Sequence, residues 1–356
     1  MTRVYICHTF FHVYITLLRE FHFYPENLGE ATLILSTMSN NFTGMKERAE
    51  ASGLFKDVYW FDEKPDTSSE EVIKYHRDRG NLISNLLQRV VYTKKLGKLQ
   101  EQYIPVDLSK YDDVYVFCDS DPIGYYLNYK KIRYHALEDG LNTNKLDDQA
   151  RTSNAGAFTL KSKLSKMGLI FIENGYSRYC IDYIVNDLEC NQNPPENIVE
   201  CRLDDLYASV TEEQSRKIVD IFLNKSEDLL RQLDATRYNK PCVMILTEPL
   251  CDLDTRERLF RDLVNEYKDD YTVIIKTHPR DVLDYEDKFQ DCVIVRERFP
   301  METMNHIPNL RVSKLVSVIT QVNAIKFADE IVYLGLDFMD KYEDPSVHRN
   351  EWTLEK

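Results

Sequence analysis

A strand–helix–strand pattern occupies residues 242–279, which read CVMILTEPLCDLDTRERLFRDLVNEYKDDYTVIIKTHP. Runs of strand length, largely apolar, occur at Val243–Thr247 and Thr272–Lys276. Between them, Thr255–Tyr267 has the apolar period of an amphipathic helix. Strands that alternate with helices form a parallel sheet covered by helices. This stretch therefore predicts an α/β fold.

The same alternation extends to both sides of this stretch. Downstream, three further strands complete the sheet: Cys292–Val295, Leu315–Val318 and Ile331–Leu334. Upstream, the pattern predicts five strands of another sheet: Val4–Cys7, Ala31–Ser36, Asp57–Phe61, Asp113–Cys118 and Arg133–Leu137. The predicted helices of the N-terminal half include Val13–Phe21, Met45–Ala51 and the long polar stretch Ser69–Gln102. Two parallel sheets in one chain predict two Rossmann-like domains.

A polar segment separates the two alternating regions. Residues 141–200 are rich in Asn and Asp and contain Pro194-Pro195, so we interpret them as insertions and a linker. Residues 212–233 have the pattern of one long helix. The predicted domains are residues 1–200 and 201–356. Such a pair is the GT-B-like architecture, with parallel sheets facing a cleft at the carboxyl ends of their strands.

Composition excludes several classes of protein. With 356 residues, the chain exceeds the size of one hydrophobic core, and its 43% hydrophobic content argues against disorder. A net charge of −14 argues against a nucleic-acid-binding protein. The eight cysteines form no Cys-x-x-Cys pair, so a zinc site is not predicted, and we interpret them as buried thiols of a reducing compartment. With no predicted signal peptide and no apolar stretch of about 20 residues, the expected location is cytoplasmic.

Three groups of polar residues follow predicted strands, where α/β sheets place functional side chains. Glu138, Asp139 and Gly140 follow the strand Arg133–Leu137. Their carboxylates suit an acceptor sugar or the removal of its proton. An ordinary Asp-Gly turn explains the same residues.

The second group is Lys276, Thr277, His278, Pro279 and Arg280. A His that precedes Pro is held in extended backbone, and its imidazole can bind or protonate a phosphate oxygen. The neighbouring Lys and Arg add positive charge. The alternative is a histidine that only closes a loop.

The third group, Ser317 to Thr320, precedes a helix predicted to begin near Val322. Hydroxyl groups at a helix N-terminus suit a phosphate, although helix capping by Thr320 explains them equally. The loop Thr247–Asp254 adds two carboxylates, Asp252 and Asp254. Both are candidate bases, and Asp254 is also well placed as the N-cap of the next helix.

These groups together resemble the bacterial sialyltransferases of glycosyltransferase family 52, the lipooligosaccharide sialyltransferase family. That family shares an Asp/Glu-Asp/Glu-Gly motif, a His-Pro motif and a Ser-Ser/Thr motif in this order. The chain has Glu138–Gly140 followed by His278-Pro279. The opening stretch Ile6–His12 and the stretch Thr247–Leu250 are also similar, and the resemblance extends from residue 3 to residue 336.

Two positions depart from the family pattern. Thr320 is followed by Gln321, and Ser317 lies three residues earlier, so it stays open which hydroxyl binds the donor phosphate. Phe10 occupies a position where Pro is expected, so the first turn differs in shape. Neither departure removes the charged groups.

The resemblance implies an inverting, metal-independent enzyme without a cofactor, which moves sialic acid from CMP-sialic acid to a hydroxyl of a lipooligosaccharide or capsule glycan. His278 then stabilises or protonates the leaving phosphate. The acceptor base is in the loop with Asp252 and Asp254, which we favour, or it is Asp139. The implied catalytic set is His278, Asp252, Asp254, Asp139 and Glu138. The implied donor-binding set is Lys276, Pro279, Arg280, Ser317, Thr320, Glu302, Gly140 and Thr9, where Glu302 binds the ribose or is an exposed loop residue.

Other functions stay open at this point. Asp119-Ser120-Asp121 and Asp252-Leu253-Asp254 have the Asp-x-Asp form that holds Mn²⁺ on a nucleotide diphosphate, although Pro122 favours a helix cap at the first. The same fold also suits another sugar nucleotide, an epimerase, or a non-catalytic partner in capsule assembly. An acceptor attached to lipid predicts a peripheral membrane contact, for which the basic stretch Arg89–Lys98 is the candidate. A solvated helix face explains that stretch as well.

Overall fold

The computed structural model describes residues 2–39, 41–145, 148–224, 226–278, 281–320, 322 and 324–347. The chain divides into two compact units, residues 1–211 and 212–356. Each unit contains one parallel sheet. The two sheets and their covering helices give the predicted α/β fold class.

Unit 1 contains a seven-stranded parallel sheet with strand order 3-2-1-4-5-6-7. Its strands are β1 Arg3–Cys7, β2 Ala31–Ser36, β3 Asp57–Phe61, β4 Asp113–Phe117, β5 Tyr134–Leu137, β6 Cys180–Val185 and β7 Ile198–Glu200. Its helices are α1 Phe10–Phe23, α2 Met45–Ala51, α3 Glu70–Ile73, α4 Leu82–Gln100, α5 Pro122–Lys130, α6 Gln149–Ser153, α7 Phe158–Lys166 and α8 Leu203–Ala208. The central strands β1 and β4 are buried along their whole length, as expected for strands covered on both faces.

Unit 2 contains a five-stranded parallel sheet with strand order 10-9-8-11-12. Its strands are β8 Cys242–Leu246, β9 Thr272–Lys276, β10 Val293–Val295, β11 Val312–Ser317 and β12 Ala328–Tyr333. Its helices are α9 Glu212–Leu223, α10 Glu227–Leu233, α11 Leu253–Tyr267 and α12 Tyr285–Lys288. Helix α11 buries Leu259, Phe260 and Leu263 in the core cluster that also contains Val243 and Ile275 of the sheet.

The register of the strands places their carboxyl ends side by side. In unit 1, Cys7 at the end of β1 pairs with Leu35 of β2. In unit 2, Leu246 at the end of β8 pairs with Lys276 of β9. The loops that follow these strands therefore leave each sheet at one common edge.

Four predictions about local structure are wrong. The segment 141–200, interpreted as insertions and a linker, contributes strands β6 and β7 to the first sheet. The single helix expected over residues 212–233 is two helices, α9 and α10, and the stretch Ser69–Gln102 is also two helices, α3 and α4, with Gly80 at φ +76° between them. The helix expected near Val322 is absent from the described residues between β11 and β12.

The boundary between the two units follows helix α8. This helix packs against α1 and belongs to unit 1, whereas the predicted boundary at residue 200 precedes it. All eight cysteines lie among the described residues and form no disulfide. Cys7, Cys180 and Cys242 are buried, and the other five are partly buried. Within the described ranges, no helix is both long enough and apolar enough to cross a bilayer.

Candidate active site

Lys276 ends strand β9 as a buried cation at the carboxyl edge of the second sheet. Its Nζ donates hydrogen bonds to the carbonyl oxygens of Thr277, at 3.1 Å, and Glu297, at 2.9 Å. It also lies 4.6 Å from the centre of the Phe299 ring. Burial lowers the pKa of Lys276 to about 8, so the ammonium form still predominates at neutral pH. The lysine therefore supplies positive charge beneath the loop that follows β9.

His278 begins this loop and is fixed through its backbone. Its N–H donates to the hydroxyl of Thr247, at 2.9 Å, and its carbonyl accepts from the N–H of Asp281, at 2.9 Å. Thr247 follows β8, so the first contact connects neighbouring loops at one edge, while the second lies within the loop that follows β9. Pro279 and Arg280, the other predicted donor-binding residues of this segment, lie outside the described residues.

Arg256 of α11 connects the same two loops, and the sequence analysis missed it. Its Nη1 pairs with Asp281 at 2.7 Å, while Nε and Nη2 donate to the carbonyl oxygens of Leu250 and Cys251 at 2.7 and 2.8 Å. The pair is buried on both sides. A signal was present, because Arg256 lies one helical turn before Leu259 on the apolar stripe of α11. A charged residue on such a stripe indicates a buried polar contact.

Asp252 is the N-cap of α11, a role that the sequence analysis gave to Asp254. One oxygen of Asp252 accepts hydrogen bonds from the N–H groups of Asp254 and Thr255, each at 3.0 Å. These bonds lower the pKa of Asp252. Asp254 lies in the first turn of the helix, so the prediction of Asp254 as the N-cap is wrong. Both carboxylates are exposed to solvent.

The carboxylate of Glu248 accepts hydrogen bonds from the loop that follows β11. Its buried carboxylate accepts from the N–H of Ile319, at 3.0 Å, from the N–H of Thr320, at 2.7 Å, and from the hydroxyl of Ser317, at 3.3 Å. The single proton of the Ser317 hydroxyl is shared with the carbonyl oxygen of Thr320, which lies closer, at 2.6 Å. The expected phosphate site at a helix N-terminus is therefore an irregular loop whose N–H groups bind a carboxylate of the same chain.

Glu302 lies apart from these contacts, in the short 3-10 helix Met301–His306. It is half-buried, and burial raises its pKa. The structure thus gives Glu302 an environment that favours the neutral carboxyl group or a hydrogen-bonding partner such as a sugar hydroxyl.

In unit 1, Glu138 and Asp139 have different surroundings although they are adjacent. Glu138 is buried and accepts from the N–H of Asn186, at 3.0 Å, which holds the loop after β6. The carboxylate of Asp139 is 57% exposed. Gly140 follows, and a Cβ at this position would lie 3.0 Å from a methyl group of Thr143. Glu138 therefore supports the loop, while Asp139 faces solvent.

Asp139 is held by the buried His12 and the partly buried Cys118. His12 of α1 donates from Nε2 to the carboxylate at 3.0 Å and to the Asp139 carbonyl at 2.7 Å, because its Nδ1 accepts from the N–H of His8. Cys118 donates from Sγ at 2.6 Å. Burial opposes ionisation, but the hydrogen bonds from the neutral imidazole of His12 and from Cys118 hold the pKa of Asp139 below its usual value. Thr9, the N-cap of α1, accepts from the N–H of His12 at 3.2 Å.

A buried ionic cluster lies beside Asp139. His8 Nε2 lies 2.8 Å from Glu63 and 3.5 Å from Asp121. Glu63 also accepts from the hydroxyl of Ser36 and the N–H of Ile123, each at 2.6 Å. Burial lowers the pKa of His8, but the carboxylates of Glu63 and Asp121 raise it by a larger amount. The pKa of His8 is therefore higher than usual. The sequence analysis quoted His8 and His12 only as parts of a turn and missed this cluster.

The cluster contains the side chains with metal-ligand spacing among the described residues. One group consists of His8, His12 and Cys118, and the other of His8, Glu63 and Asp121. The ligand atoms of each group lie within 4.8 Å of one another. Glu63, His12 and Cys118 bind protein partners, whereas among the described residues Nδ1 of His8 is buried without a hydrogen-bond partner. The predicted absence of a metal stays a prediction.

The two carboxylates of the Asp119-Ser120-Asp121 motif are held apart from each other by different partners. Asp119 accepts from the hydroxyl of Tyr134, at 2.8 Å, and from the N–H of Asn174, at 3.0 Å. Burial raises its pKa to about 6. Asp121 instead faces His8. This arrangement differs from the paired carboxylates that an Asp-x-Asp metal site requires.

The raised pKa of Asp121 predicts that the protein loses stability as the pH rises. Burial, opposed by His8 and increased by Glu63 and Asp139, raises this pKa to about 7. The folded state therefore keeps a proton that the unfolded chain loses near pH 4, so the free energy of unfolding should fall between pH 4 and pH 7. The upward shift of His8 acts in the same direction. In the Asp121→Asn variant, this fall in the free energy of unfolding should be smaller by about 2 kcal/mol.

Urea unfolding of the full chain at pH 5 and pH 8 measures this effect. The control is Asp57→Asn, which changes an exposed carboxylate at the start of β3 and should keep the pH dependence of the parent. Greater stability of the parent protein at pH 8 than at pH 5 would contradict the prediction.

Comparison with known proteins identifies the family. The profile of glycosyltransferase family 52 matches residues 57–329. No curated protein sequence matches the chain. A solved α/β-galactoside α-2,3-sialyltransferase from the marine bacterium Photobacterium phosphoreum has a TM-score of 0.51 and 13% identity, and the match covers 93% of this chain and 90% of that one.

Two further solved structures are less similar. The GT-B domain of a sialyltransferase from Photobacterium damselae has a TM-score of 0.48 and 13% identity, covering 94% of this chain and 91% of that one. A UDP-GlcNAc 2-epimerase from Neisseria meningitidis has a TM-score of 0.43 and 11% identity, covering 89% and 77%. The two parallel sheets give the GT-B fold class, as predicted. Because the profile matches most of the chain, the protein belongs to glycosyltransferase family 52.

Proposed function

We propose that this glycosyltransferase moves sialic acid from CMP-sialic acid to a hydroxyl group of a surface glycan, with inversion at the anomeric carbon. One observation carries the proposal: His278 lies two residues after the buried cation Lys276, which ends β9, at the sheet edge where ligands bind in such folds. Membership of family 52 supports glycosyl transfer. The fold shared with a Photobacterium phosphoreum sialyltransferase supports sialic acid as the sugar.

On the donor side, the bond between the anomeric carbon and the phosphate oxygen of CMP breaks, and negative charge grows on that phosphate. The imidazole of His278 donates a proton or a hydrogen bond to it. Lys276 adds a positive charge beneath the loop, and Thr320 or Ser317 adds a hydroxyl donor. Glu302 binds the ribose hydroxyls. Pro279, Arg280, Gly140 and Thr9 complete the proposed donor-binding set.

On the acceptor side, a carboxylate takes the proton of the attacking hydroxyl group. Asp252 and Asp254 are exposed at the start of α11, beside the loop that Arg256 connects to His278. Asp139 is exposed in unit 1 and is oriented by His12. Both arrangements keep a carboxylate ionised, so we retain both hypotheses and favour the loop.

The proposed acceptor is a precursor of lipooligosaccharide or capsule, and the proposed location is the cytoplasm, at the inner face of the membrane. An acceptor of this kind is attached to lipid. The reaction then requires the protein to approach a bilayer.

Thermal unfolding in the presence of CMP, CDP, UDP, GDP or ADP, each with and without EDTA, tests the donor. Binding to the folded state stabilises it by about 2.7 kcal/mol at a ligand concentration of 100 times Kd. We expect CMP alone to raise the melting temperature, with or without EDTA, and His278→Ala to reduce the effect. A rise only with a nucleotide diphosphate would contradict the donor assignment, and dependence on metal would favour the Asp-x-Asp alternative.

A further inference from the structure

Positive charge is concentrated in two segments of this acidic protein. The chain has a net charge of −14, yet residues 74–98 contain seven Lys or Arg and one Asp. Residues 149–169 contain four Lys or Arg and no acidic residue. Helices α4 and α7 form the central parts of these segments. Such segregation indicates a surface with an anionic partner.

Helix α4 presents an apolar stripe that continues as a basic one. Ile83 is 74% exposed and Leu87 is 65% exposed, and Val91 follows at the same spacing. Residues four apart lie on one face of a helix, and Lys94 and Lys98 continue this face toward the C-terminus. Both lysines are exposed and make no ion pair within the described residues.

Helix α7 presents the same combination beside α4. Leu160 and Met167 are exposed, and Lys163 lies between them on the same face. Phe158 of α7 and Val90 of α4 pack against one buried cluster. The two helices are therefore neighbours, and we name their exposed residues, Ile83, Leu87, Val91, Lys94, Leu160 and Lys163, the α4–α7 face.

A positively charged groove borders this face. It has a volume of about 610 Å³, and its lining includes Arg77, Arg89 and Lys161, with Asp78 as the one acidic residue among the described ones. Burial and the charge of Arg89 lower the pKa of Lys161, so the two cations lie close together. Two neighbouring cations that line a groove suit the phosphate of a lipid headgroup.

We propose that the α4–α7 face docks the protein onto an anionic lipid bilayer. Exposed apolar side chains flanked by lysines are the features of an interfacial helix, which inserts its apolar residues at the level of the headgroups. A protein partner of purely apolar character would not account for the excess of cations on both helices. The inference deepens the proposed location at the membrane and rests on it, but its test is independent of the donor, because vesicle binding requires neither CMP-sialic acid nor turnover.

Flotation of the full-length protein with vesicles tests this proposal. We expect binding to phosphatidylcholine mixed with phosphatidylglycerol, little binding to phosphatidylcholine alone, and release at high salt. Lys94→Glu combined with Lys163→Glu should weaken binding by about 30-fold or more, since each lysine near such a surface contributes about fivefold. Ile83→Ser combined with Leu87→Ser should weaken it as well, through the loss of inserted apolar area.

Matched variants on other surfaces are the controls. Lys56→Glu with Lys268→Glu makes the same change in net charge at exposed positions outside the face, and Val199→Ser removes an exposed apolar side chain from β7. All variants replace exposed residues, and their melting temperatures report whether they fold. Equal binding by the control and face variants would overturn the proposal. Failure of the parent protein to bind either kind of vesicle would also overturn it. This outcome includes the case in which the α4–α7 face mediates self-association instead.

Discussion

Replacement of His278 by alanine is expected to lower kcat by at least about a hundredfold. In the proposed reaction the imidazole of His278 contacts the phosphate on which negative charge grows. The backbone of His278 is held by Thr247 and Asp281 from two loops, so the variant should keep the loop in place. Initial rates at saturating donor and acceptor measure the effect.

His278→Gln separates the two roles of the imidazole. Glutamine keeps a hydrogen-bond donor but cannot transfer a proton at neutral pH. If His278 acts as an acid, the rate of the parent protein should fall at alkaline pH as the imidazolium loses its proton. Both variants should lack this fall. His22→Ala, on the surface of unit 1, is the control for the loss of an imidazole. A kcat of His278→Ala within a few-fold of the parent value would remove this residue from the mechanism.

Replacement of the true acceptor base by asparagine is expected to lower kcat by about a hundredfold to ten-thousandfold while donor binding is retained. The exchange is informative at Asp252, because asparagine is as good an N-cap as aspartate and keeps the start of α11 intact. At Asp139, an asparagine oxygen can still accept from His12 and Cys118. A loss of activity at either position would therefore report the missing proton acceptor and not a displaced loop.

Comparison of three single variants decides between the hypotheses. Asp252→Asn and Asp254→Asn test the loop, and Asp139→Asn tests unit 1, with CMP binding by calorimetry as the measure of donor affinity. Asp57→Asn, at the exposed start of β3, is the control for the loss of a carboxylate outside the site. If all three variants keep most of kcat, both hypotheses fail.

The sequence predicted the ends of the central strands well because buried parallel strands are short apolar runs followed by polar residues. Strands β6 and β7 were not predicted because they lie in a segment rich in Asn, Asp and Pro, a composition that is typical of loops. Only some residues of β6 are buried, as suits a strand near one side of the sheet. Its sequence therefore lacks the continuous apolar run that marks a fully buried strand. The helix expected near Val322 is wrong for a different reason: the Ser317 hydroxyl donates to the carbonyl of Thr320, and the N–H groups of Ile319 and Thr320 bind Glu248, so these residues form a loop.

The candidate site could be predicted only where a short local motif by itself indicates a chemical role. His278 followed by Pro279 at a strand end points to phosphate from the local sequence. Arg256 and Glu248 act through partners distant along the chain, at Asp281 and at Ile319. The apolar stripe of α11 indicates that Arg256 makes a buried contact, but no local pattern identifies either partner. The orientation of Asp139 by His12 likewise depends on how α1 packs against the edge of the sheet.

Glu248 has a consequence for protein engineering. Its carboxylate connects the loop after β8 with the loop after β11, and these two strands are neighbours in the sheet although about 70 residues separate them in sequence. A chimera that takes only one of the loops from a relative would leave either a buried carboxylate or a set of N–H groups without partners. Residue 248 and residues 317–320 therefore form one cassette, and attempts to change the donor by exchanging segments should transplant both parts together.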